Sequence, residues 1–483
     1  MYKLHQGMGR KMEERRLTMI AALVVSALVI AHPGQARAQS QPNIQWGTYE
    51  NLFSARSPWN SRPVSPVFGE YVIPKSSYVP SVAEGAWSTG VFLAGENDPP
   101  VTVNGLPGTA GVWDPDAEVR RQVTIPRWPS GVIPASAADG HADIVDPVAG
   151  IVHSFYKLRQ TDGNWMASQY AWTPLNGRGW GNPAHYFQGA RAAAVPTSGG
   201  LIRKHEIDDG RSYYPHALTM SLTYNGLSAN PTYIFPATSA DRDAATTNTG
   251  AIPEGALVML PPSFNLQTIT TPVLRKVAET LQIYGAYITD RNTGTPFVIY
   301  VENGSGFNLH KGGWNSAAGN DLERIRQGLR QVVGVSGWVD GNGESYTPQA
   351  NFNLLSMRGP WRLQSGTTSG IYETWRQAVV FPPAPAQSSV VNSSYRSMQP
   401  VSWALPVAGE SFQLTARTTG GGLLRFQLRD KATSAIVYDS NNLADGETAR
   451  FSWPAGNVGP VVTATSGVGV ESTVSGELLR DGQ

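Results

Sequence analysis

The stretch that decides the fold class is residues 139–155, which read DGHADIVDPVAGIVHSF. Residues 139–145 form a run of strand length that ends in the apolar pair Ile144-Val145, and residues 151–155 form a second run that begins with Ile151-Val152. Residues 146–150, which lie between the two runs, include Asp, Pro and Gly, and these residues favour turns. The stretch therefore predicts a β-hairpin.

Polar side chains interrupt both strands of this hairpin. If the turn holds five residues, Asp143 faces His153, and His141 lies on the same side because side chains alternate along a strand. An imidazole beside a carboxylate can transfer a proton or share a metal ion. We therefore expect Asp143 to be a catalytic carboxylate and His141 and His153 to bind substrate. A solvated polar face is the alternative.

The composition extends the β interpretation to the whole chain. The 483 residues include 51 Gly and 35 Pro, and only 15% are charged. Helical bundles, coiled coils and charged disordered chains have a different composition, so all three are excluded. We expect an all-β, mainly antiparallel main domain that resembles a β-sandwich or jelly roll, with two flanking helices. The helices are predicted from Thr271 to Gly285 and from Asn320 to Gly334.

Shifts in composition divide the chain into four parts. Residues 1–38 combine basic residues, an apolar run and a final Ala-Arg-Ala, a pattern typical of a signal peptide. Residues 40–380 form the main, catalytic domain, and residues 381–394 are rich in Pro and Ser, as linkers are. Short alternating runs predict a small accessory β-sandwich over residues 395–483. The protein is therefore expected to be secreted, into the periplasm or the medium.

Charge and cysteine content exclude several classes of function. The net charge of +1 becomes −3 when the six basic and two acidic residues of the leader are removed. A weakly acidic surface does not attract nucleic acid or anionic lipid, so neither is expected as a partner. Cys is absent, which excludes thiol catalysis, disulfides and Cys-ligated zinc. We expect a monomer without a cofactor or catalytic metal, and Asp241 and Asp243 leave a structural calcium ion open.

A second candidate segment lies between the Gly pair at 199–200 and Gly210. Arg203 and Glu206 fall on one side of a single helical turn in this segment. We expect Glu206 to be a catalytic carboxylate and Arg203 to bind substrate. A structural Arg–Glu pair is the alternative.

A third candidate segment begins at Tyr284. Ala286 and Ile288 set a buried strand face, so Asp290 is expected to emerge at the strand end on that same face. We expect Asp290 to be the third catalytic carboxylate and Tyr284 to bind substrate. An Asp that only forms a turn is the alternative.

Several segments occur here in an order that is known from other proteins: Ser57-Pro-Trp-Asn60, Asp139-Gly-His141 with Asp146-Pro147, Gly200-Leu-Ile-Arg203 with Glu206, Gly210 and His216-Ala-Leu218, Phe235-Pro-Ala237, Pro253 with Gly255 and Leu260, and Tyr284-Gly285 with Asp290. In these segments the chain resembles a family of secreted bacterial proteins to which no reaction is assigned. The resemblance covers roughly residues 55–340 and not the C-terminal domain. It implies that the segments form one site or one core in a carbohydrate-active protein.

Three functions follow from these features. A secreted β-rich protein with 14 Trp and 18 Tyr suits a polysaccharide or oligosaccharide partner, and a carboxylate pair can hydrolyse a glycosidic bond. A glycoside hydrolase is therefore the leading interpretation. A polysaccharide lyase is the second, with His141, His153 or Tyr284 as the base and Arg203 neutralising a uronate. A non-catalytic glycan-binding or surface protein is the third.

Overall fold

The computed structural model describes residues 44–182 and 185–482. Strands make up 35% of the chain and helices 9%, which confirms the all-β fold class. None of the described helices is long and apolar enough to cross a membrane. The expected signal peptide, residues 1–38, lies outside the described residues.

The secondary-structure elements are numbered in chain order within the described residues. The helices are α1 (Ala244–Thr247), α2 (Pro272–Ile283) and α3 (Ser316–Gly328), with single 3-10 turns at Lys204–Glu206, Leu266–Thr268 and Ser402–Ala404. The strands are β1 (Arg62–Val64), β2 (Val67–Phe68), β3 (Ser81–Ala83), β4 (Gly90–Leu93), β5 (Val101–Gly105), β6 (Val112–Asp114), β7 (Val119–Arg121), β8 (Val123–Ile125), β9 (Ala142–Asp146), β10 (Ile151–Tyr156), β11 (Arg159–Thr161), β12 (Asn164–Ala167), β13 (Gln169–Pro174), β14 (Leu218–Thr223), β15 (Leu257–Met259), β16 (Ala286–Asn292), β17 (Phe297–Tyr300), β18 (Arg330–Gly334), β19 (Gly337–Val339), β20 (Ser345–Tyr346), β21 (Arg362–Ser365), β22 (Ile371–Glu373), β23 (Ala378–Phe381), β24 (Ser389–Asn392), β25 (Ser411–Thr419), β26 (Leu423–Asp430), β27 (Ile436–Asp439), β28 (Thr448–Ser452), β29 (Val458–Thr465) and β30 (Ser472–Arg480).

The main part of the described chain is built from stacked sheets. A seven-stranded sheet has the order β2-β18-β15-β16-β14-β17-β3, and a six-stranded sheet has the order β4-β9-β10-β13-β6-β7. A four-stranded sheet, β11-β12-β5-β8, and a three-stranded sheet, β1-β19-β20, complete this part. Most strand pairs are antiparallel; the parallel ones are β4–β9, β5–β12, β6–β13, β3–β17 and β14–β16.

Three apolar cores separate the layers of the main part. One lies between α2, α3 and one face of the seven-stranded sheet, and it includes Leu274, Ile325 and Met220. The second lies between the seven-stranded and six-stranded sheets, where Tyr287 packs with residues such as Val145. The third fills the space between the six-stranded and four-stranded sheets. The order is therefore helices, sheet, sheet, sheet, because each sheet must bury an apolar face.

The two flanking helices are present, and one of them begins earlier than expected. Helix α2 starts with Pro272 as its first residue, as the sequence predicts. Helix α3 is capped by Asn315, whose side chain accepts a hydrogen bond from the Ala318 amide, and not by Asn320. It ends at Gly328, so the predicted last turn is instead strand β18. The real cap lies five residues before the predicted one, where a second Asn satisfies the helix end.

The hairpin at residues 139–155 is present, but its register differs from the expectation. Residues 147–150 form a four-residue turn, and Ser154 pairs with Asp143 where His153 was expected. His153 pairs with Ile144 instead. A one-residue slip moves a side chain to the opposite face, so Asp143 and His153 lie on opposite sides of the sheet.

The C-terminal part is a β-sandwich that starts earlier than the composition suggested. Its two sheets have the orders β21-β24-β29-β26-β27 and β22-β23-β30-β25-β28. The segment 381–394, expected to be a linker, contains β24, which pairs with both β21 and β29. Residues 362–381 also contribute three strands to the sandwich. Pro and Ser therefore mark a turn between two strands here, and not a tether between domains.

The sandwich contacts the six-stranded sheet through buried and partly buried side chains. Trp375 lies 5.0 Å from Trp172 between ring centroids and 5.9 Å from His153. Arg358 donates a hydrogen bond of 2.7 Å to the Tyr186 hydroxyl, and Tyr186 belongs to the core of the sandwich. These contacts make the sandwich part of the same folded unit.

A chain that ends at Phe381 should not fold cooperatively. It would retain β21 and β23 but lose their partners β24 and β30, exposing Val379 and Phe381, which are fully buried. Burying an apolar side chain contributes about 1.5–3 kcal/mol, and the other sandwich-core residues that precede residue 381 would be uncovered as well, so the summed loss is comparable to the whole stability of a typical fold. Thermal unfolding by circular dichroism, with the full chain as control, measures this. A soluble fragment with a cooperative transition would contradict it.

Candidate functional site

Asp143 is a structural carboxylate. It is fully buried on β9, accepts a hydrogen bond of 2.7 Å from the Thr197 hydroxyl and accepts another of 2.7 Å from the Ser198 amide. Burial raises the pKa of Asp143, and these hydrogen bonds oppose the rise. A carboxylate without exposed surface cannot reach a glycan, so Asp143 holds the 197–198 segment against the six-stranded sheet.

His153 is buried on the face of the six-stranded sheet opposite to that of Asp143. Its Nδ1 lies 2.9 Å from the Tyr170 hydroxyl, and its Nε2 lies 3.9 Å from Asp146 Oδ2. Burial lowers the pKa of His153, so the ring is neutral at pH 7. The expected pair with Asp143 is replaced by these contacts, and His153 is placed to support the core and not to bind substrate.

Glu206 forms a buried ion pair with His216. Its Oε2 lies 3.1 Å from His216 Nε2, while His216 Nδ1 lies 2.9 Å from the Ala217 carbonyl oxygen. Both ring nitrogens face acceptors, so both must carry protons and the ring is an imidazolium. Burial opposes both charges, but the mutual attraction raises the pKa of His216 and lowers that of Glu206 to about 2.

Two of the segments that carry the family resemblance, residues 57–60 and residues 200–218, meet beside this ion pair. Trp59 and Asn60 line a cavity of ≈ 40 Å³ together with Gly200, Arg203 and Glu206. That volume has room for about two or three water molecules. The meeting of these segments here is a finding about packing, because a cavity of this size does not admit a sugar ring.

The side chain of Arg203 is bonded to other residues of the fold. Its backbone amide donates to Glu206, while its Nε donates a hydrogen bond of 2.8 Å to Glu302 and its Nη1 donates to the Tyr49 carbonyl oxygen. The side chain is buried, with its guanidinium 4.7 Å from the centroid of the Tyr49 ring. Arg203 therefore locks the segment to the start of the described chain.

Tyr284 packs against Tyr213 with ring centroids 6.2 Å apart. Burial raises the pKa of Tyr284 to about 12. A phenol with this pKa is protonated at neutral pH and cannot serve as a base there.

Asp290 is placed by a β-bulge. Strand β14 pairs Met220 with Ile288, but its next pair is Ser221 with Asp290, so Thr289 is an extra residue in β16. The bulge turns Asp290 away from the face of Ile288, contrary to the expected face, and onto the face of Ser221. Asp290 Oδ2 accepts a hydrogen bond of 3.1 Å from Arg191 Nη1, and 18% of the side chain is exposed.

Several ionisable groups surround Asp290 where the two large sheets meet. Burial, opposed by Arg191 and reinforced by Asp241 and Asp139, raises the pKa of Asp290 to about 7. Burial together with Asp241 and Asp290 raises the pKa of Glu254 well above its usual range. We call this group the Asp290 cluster; it consists of Asp139, His141, Tyr156, Arg191, Asp241, Glu254, Asp290, Arg291 and Tyr300.

The Asp290 cluster has a buried floor and a partly exposed rim. Arg191 is 1% exposed and lies 4.0 Å from the centroid of the Tyr300 ring. His141 is also buried, and burial together with Arg191 lowers its pKa to about 3. Asp290 and Asp241 form part of the rim, with 18% and 25% of their side chains exposed. Asp290 and Asp241 are therefore reachable from solvent, whereas Arg191, which orients Asp290, is not.

Six of the twenty buried side-chain polar atoms that lack a hydrogen-bond partner among the described residues belong to this cluster. They are His141 Nδ1, Arg191 Nε and Nη2, Asp241 Oδ2, Glu254 Oε2 and Arg291 Nη1. Buried polar atoms in folded proteins are nearly always paired, so a concentration of unpaired ones is characteristic of a functional site. His141 thus belongs to the site, behind the carboxyls and not in direct reach of substrate.

The loop that supplies Arg191 depends on Gly189. A Cβ at this position would lie 1.9 Å from the backbone nitrogen of Pro196, so the loop can close on itself only with glycine. The Ala190 amide donates a hydrogen bond of 3.1 Å to the Ser154 hydroxyl, and this fixes the loop to the six-stranded sheet. Arg191 then reaches Asp290 on the seven-stranded sheet.

Arg291 takes the place considered for a calcium ion. Its Nη2 lies 2.7 Å from Asp243 Oδ1, and its Nε lies 3.9 Å from Asp241 Oδ2. Within residues 44–182 and 185–482, no group of three or more His, Asp or Glu side chains is placed to hold a metal ion. The guanidinium of Arg291 therefore supplies the positive charge that faces these two carboxylates.

The sequence identified part of this site. Asp290 was a predicted catalytic residue, His141 a predicted substrate-binding residue, and Asp139 lay in the hairpin stretch. Arg191 and Glu254 were missed because neither stands in a recognisable motif, although Glu254 lies between Pro253 and Gly255 of the family resemblance. The three predicted catalytic carboxylates do not share one site, because each has its own buried partners.

Comparisons with known proteins do not place the chain in a family, and the similar structures match only about a quarter of it. No family model matches the chain, and no curated protein matches it. One similar structure is that of accessory secretory protein 1, 2 and 3 of Streptococcus pneumoniae, with 11% identity, a TM-score of 0.19 and 26% of this chain and 94% of that chain covered. Another is the enzymatically active domain of tailspike protein 4 from bacteriophage CBA120, with 16% identity, a TM-score of 0.18 and coverage of 25% and 19%. A family 29 carbohydrate-binding module matches with 10% identity, a TM-score of 0.16 and coverage of 26% and 84%.

The Glu206–His216 ion pair should give a distinctive pH dependence of stability. The raised pKa of His216 gives stabilisation that is complete below its ordinary value of 6.5 and lost as pH rises through the folded-state pKa. The lowered pKa of Glu206 gives stabilisation that is present above its ordinary value of 4.5 and lost as pH falls towards about 2. The pair therefore stabilises the fold most between pH 4.5 and pH 6.5.

His216→Gln tests this pair. At pH 5.5 the substitution should lower the free energy of unfolding by roughly 3 kcal/mol, because it leaves a buried carboxylate without its cation. At pH 9 the difference from the unmodified protein should be much smaller. Urea unfolding at both pH values measures the two differences, and equal differences would contradict a change in the charge of His216 between pH 5.5 and pH 9.

Proposed function

We propose that the protein is a secreted glycoside hydrolase and that Asp290 is its general acid. The observation that carries the proposal is the partly exposed Asp290 carboxyl, whose pKa is raised to about 7 by burial and neighbouring carboxylates. An enzyme that protonates a leaving-group oxygen near neutral pH needs a carboxyl of this kind. The proposal rests on the Asp290 cluster alone.

Asp241 is the second carboxyl of the proposed pair. It lies close enough to raise the pKa of Asp290, and 25% of its side chain is exposed. Two neighbouring carboxyls repel each other when both are ionised, so one keeps its proton while the other carries the charge. Burial raises the pKa of Asp241, and Arg291 opposes this rise by favouring the charged form, in which Asp241 acts as base or nucleophile.

Arg191 orients the acid. Its Nη1 donates to Asp290 Oδ2, and its guanidinium rests on the Tyr300 ring, whose hydroxyl lies 2.9 Å from the Ser221 hydroxyl. A buried guanidinium held in this way cannot move away when the carboxyl loses its proton. It therefore stabilises the carboxylate that protonation of the leaving group creates.

The lyase interpretation has less support. His153 and His141 are buried and neutral, and Tyr284 has a pKa raised to about 12. Arg203 is already paired with Glu302 and is not free to neutralise a uronate. The rim of the Asp290 cluster is acidic and would repel an anionic sugar, so a neutral glycan is the substrate class that fits.

Asp290→Asn should abolish turnover without unfolding the protein. The amide keeps the hydrogen-bonding size of the side chain but has no acidic proton, so a loss of at least about 100-fold in kcat is expected. The assay is reducing-end release across a panel of polysaccharides, with absorbance of unsaturated products recorded in parallel. Glu206→Gln is the control: it should lower Tm through its buried ion pair and leave kcat near normal.

The outcomes of this experiment separate the candidate functions. Full activity in Asp290→Asn would remove Asp290 from the mechanism, and unsaturated products would establish a lyase. Retained glycan binding without turnover in the unmodified protein on every polysaccharide would establish a binding protein.

The value of kcat/KM should fall as the pH rises through neutrality. Asp290 must be protonated to act as an acid, so activity is expected to decline as pH rises through about 7. Initial rates from pH 5 to pH 9 on the active polysaccharide give the profile. Activity that keeps rising above pH 8 would contradict the assignment of the acid.

A further inference from the structure

A second, larger cavity lies away from the Asp290 cluster. It has a volume of ≈ 220 Å³ and lies between the β15–β16–β18 end of the seven-stranded sheet and strands β19 and β20. Its aromatic walls are Phe235, Tyr287, Trp338 and Tyr346. The aliphatic part of the lining is formed by Pro58, Ile234, Pro236, Leu257, Val332, Val333, Val335 and Pro348.

Arg178 is the unusual residue of this cavity. Its guanidinium makes no hydrogen bond or ion pair with any residue that the structure describes, and it lies over the ring of Phe235, with Cζ 5.8 Å from the ring centroid. Burial lowers the pKa of Arg178 from its usual value. A half-buried cation among apolar side chains is costly unless an anion accompanies it.

Arg56 lines the same cavity and provides a contrast. It is paired with Asp340 at 3.4 Å and lies 3.6 Å from Glu344, and 61% of its side chain is exposed. Its charge is therefore balanced within the protein, whereas that of Arg178 is not. The described residues that line the cavity include no acidic residue that could balance it.

We propose that this cavity binds a small organic carboxylate with an apolar body, its carboxylate paired with Arg178. A guanidinium recognises a carboxylate through two parallel hydrogen bonds, which supplies the missing counter-charge. The lining offers aromatic and aliphatic contacts but few hydrogen-bonding groups, so it suits a hydrocarbon body and not a sugar. The volume is below the roughly 300 Å³ of most drug-sized pockets, so the occupant is small.

This proposal is independent of the hydrolase activity. None of the cavity's lining residues belongs to the Asp290 cluster, although Gly255 of the lining directly follows Glu254 of the cluster. Binding can therefore be measured without a substrate for the enzyme.

Calorimetric titration with 4-phenylbutyrate tests the proposal, with 4-phenyl-1-butanol as the neutral analogue. The unmodified protein should bind the carboxylate at least about 10-fold more tightly than the alcohol, because a hydrogen bond to a charged group adds about 1.5–3 kcal/mol. Arg178→Gln should remove this preference. Arg56→Gln, the matched control in the same cavity, should keep it.

A third variant tests the apolar body of the site. Trp338→Ala should weaken the carboxylate and the alcohol by similar factors, because both lose the same wall. The proposal is overturned if the unmodified protein binds both compounds equally, if it shows no binding of 4-phenylbutyrate up to about 10 mM, or if Arg178→Gln and Arg56→Gln behave alike. The comparison of the two compounds on the unmodified protein remains decisive even if a variant does not fold.

Discussion

Within the described residues, carboxyl groups outnumber guanidinium groups where the two large sheets meet, and the site depends on this imbalance. The four carboxyls of the Asp290 cluster share the region with the guanidiniums of Arg191 and Arg291. They cannot all be ionised, because burial penalises each charge and the carboxylates repel one another. Glu254 and Asp290 therefore hold their protons to higher pH than ordinary carboxyls do. Of these two, Asp290 is the one that solvent reaches.

The framework around the cluster keeps this arrangement fixed. The loop at residues 189–198 is attached to the six-stranded sheet by the Asp143 carboxylate and reaches the seven-stranded sheet through Arg191. Gly189 allows the loop to close on itself, and the bulge at Thr289 turns Asp290 towards Arg191. The buried Asp143 carboxylate thus positions Arg191, which in turn orients the partly exposed carboxyl of Asp290.

The sequence predicted elements better than it predicted registers and pairings. Turn formers and apolar runs located the 139–155 hairpin, and a Pro at the first helical position located α2. The faces of His153 and Asp290 were wrong because a four-residue turn and a one-residue bulge each shift side chains to the other face. Arg191 could not be predicted at all, since its role follows from contacts between residues that are 99 positions apart.

The central claim is that Asp290 is protonated near neutral pH because of its burial and its carboxyl neighbours. The most direct test is a carbon-13 NMR titration of protein labelled at the aspartate side-chain carboxyls. The account predicts one carboxyl that titrates near pH 7, disappears in Asp290→Asn and shifts to lower pH in Asp241→Asn. A spectrum in which every aspartate titrates below about pH 5, as ordinary aspartates do, would contradict it.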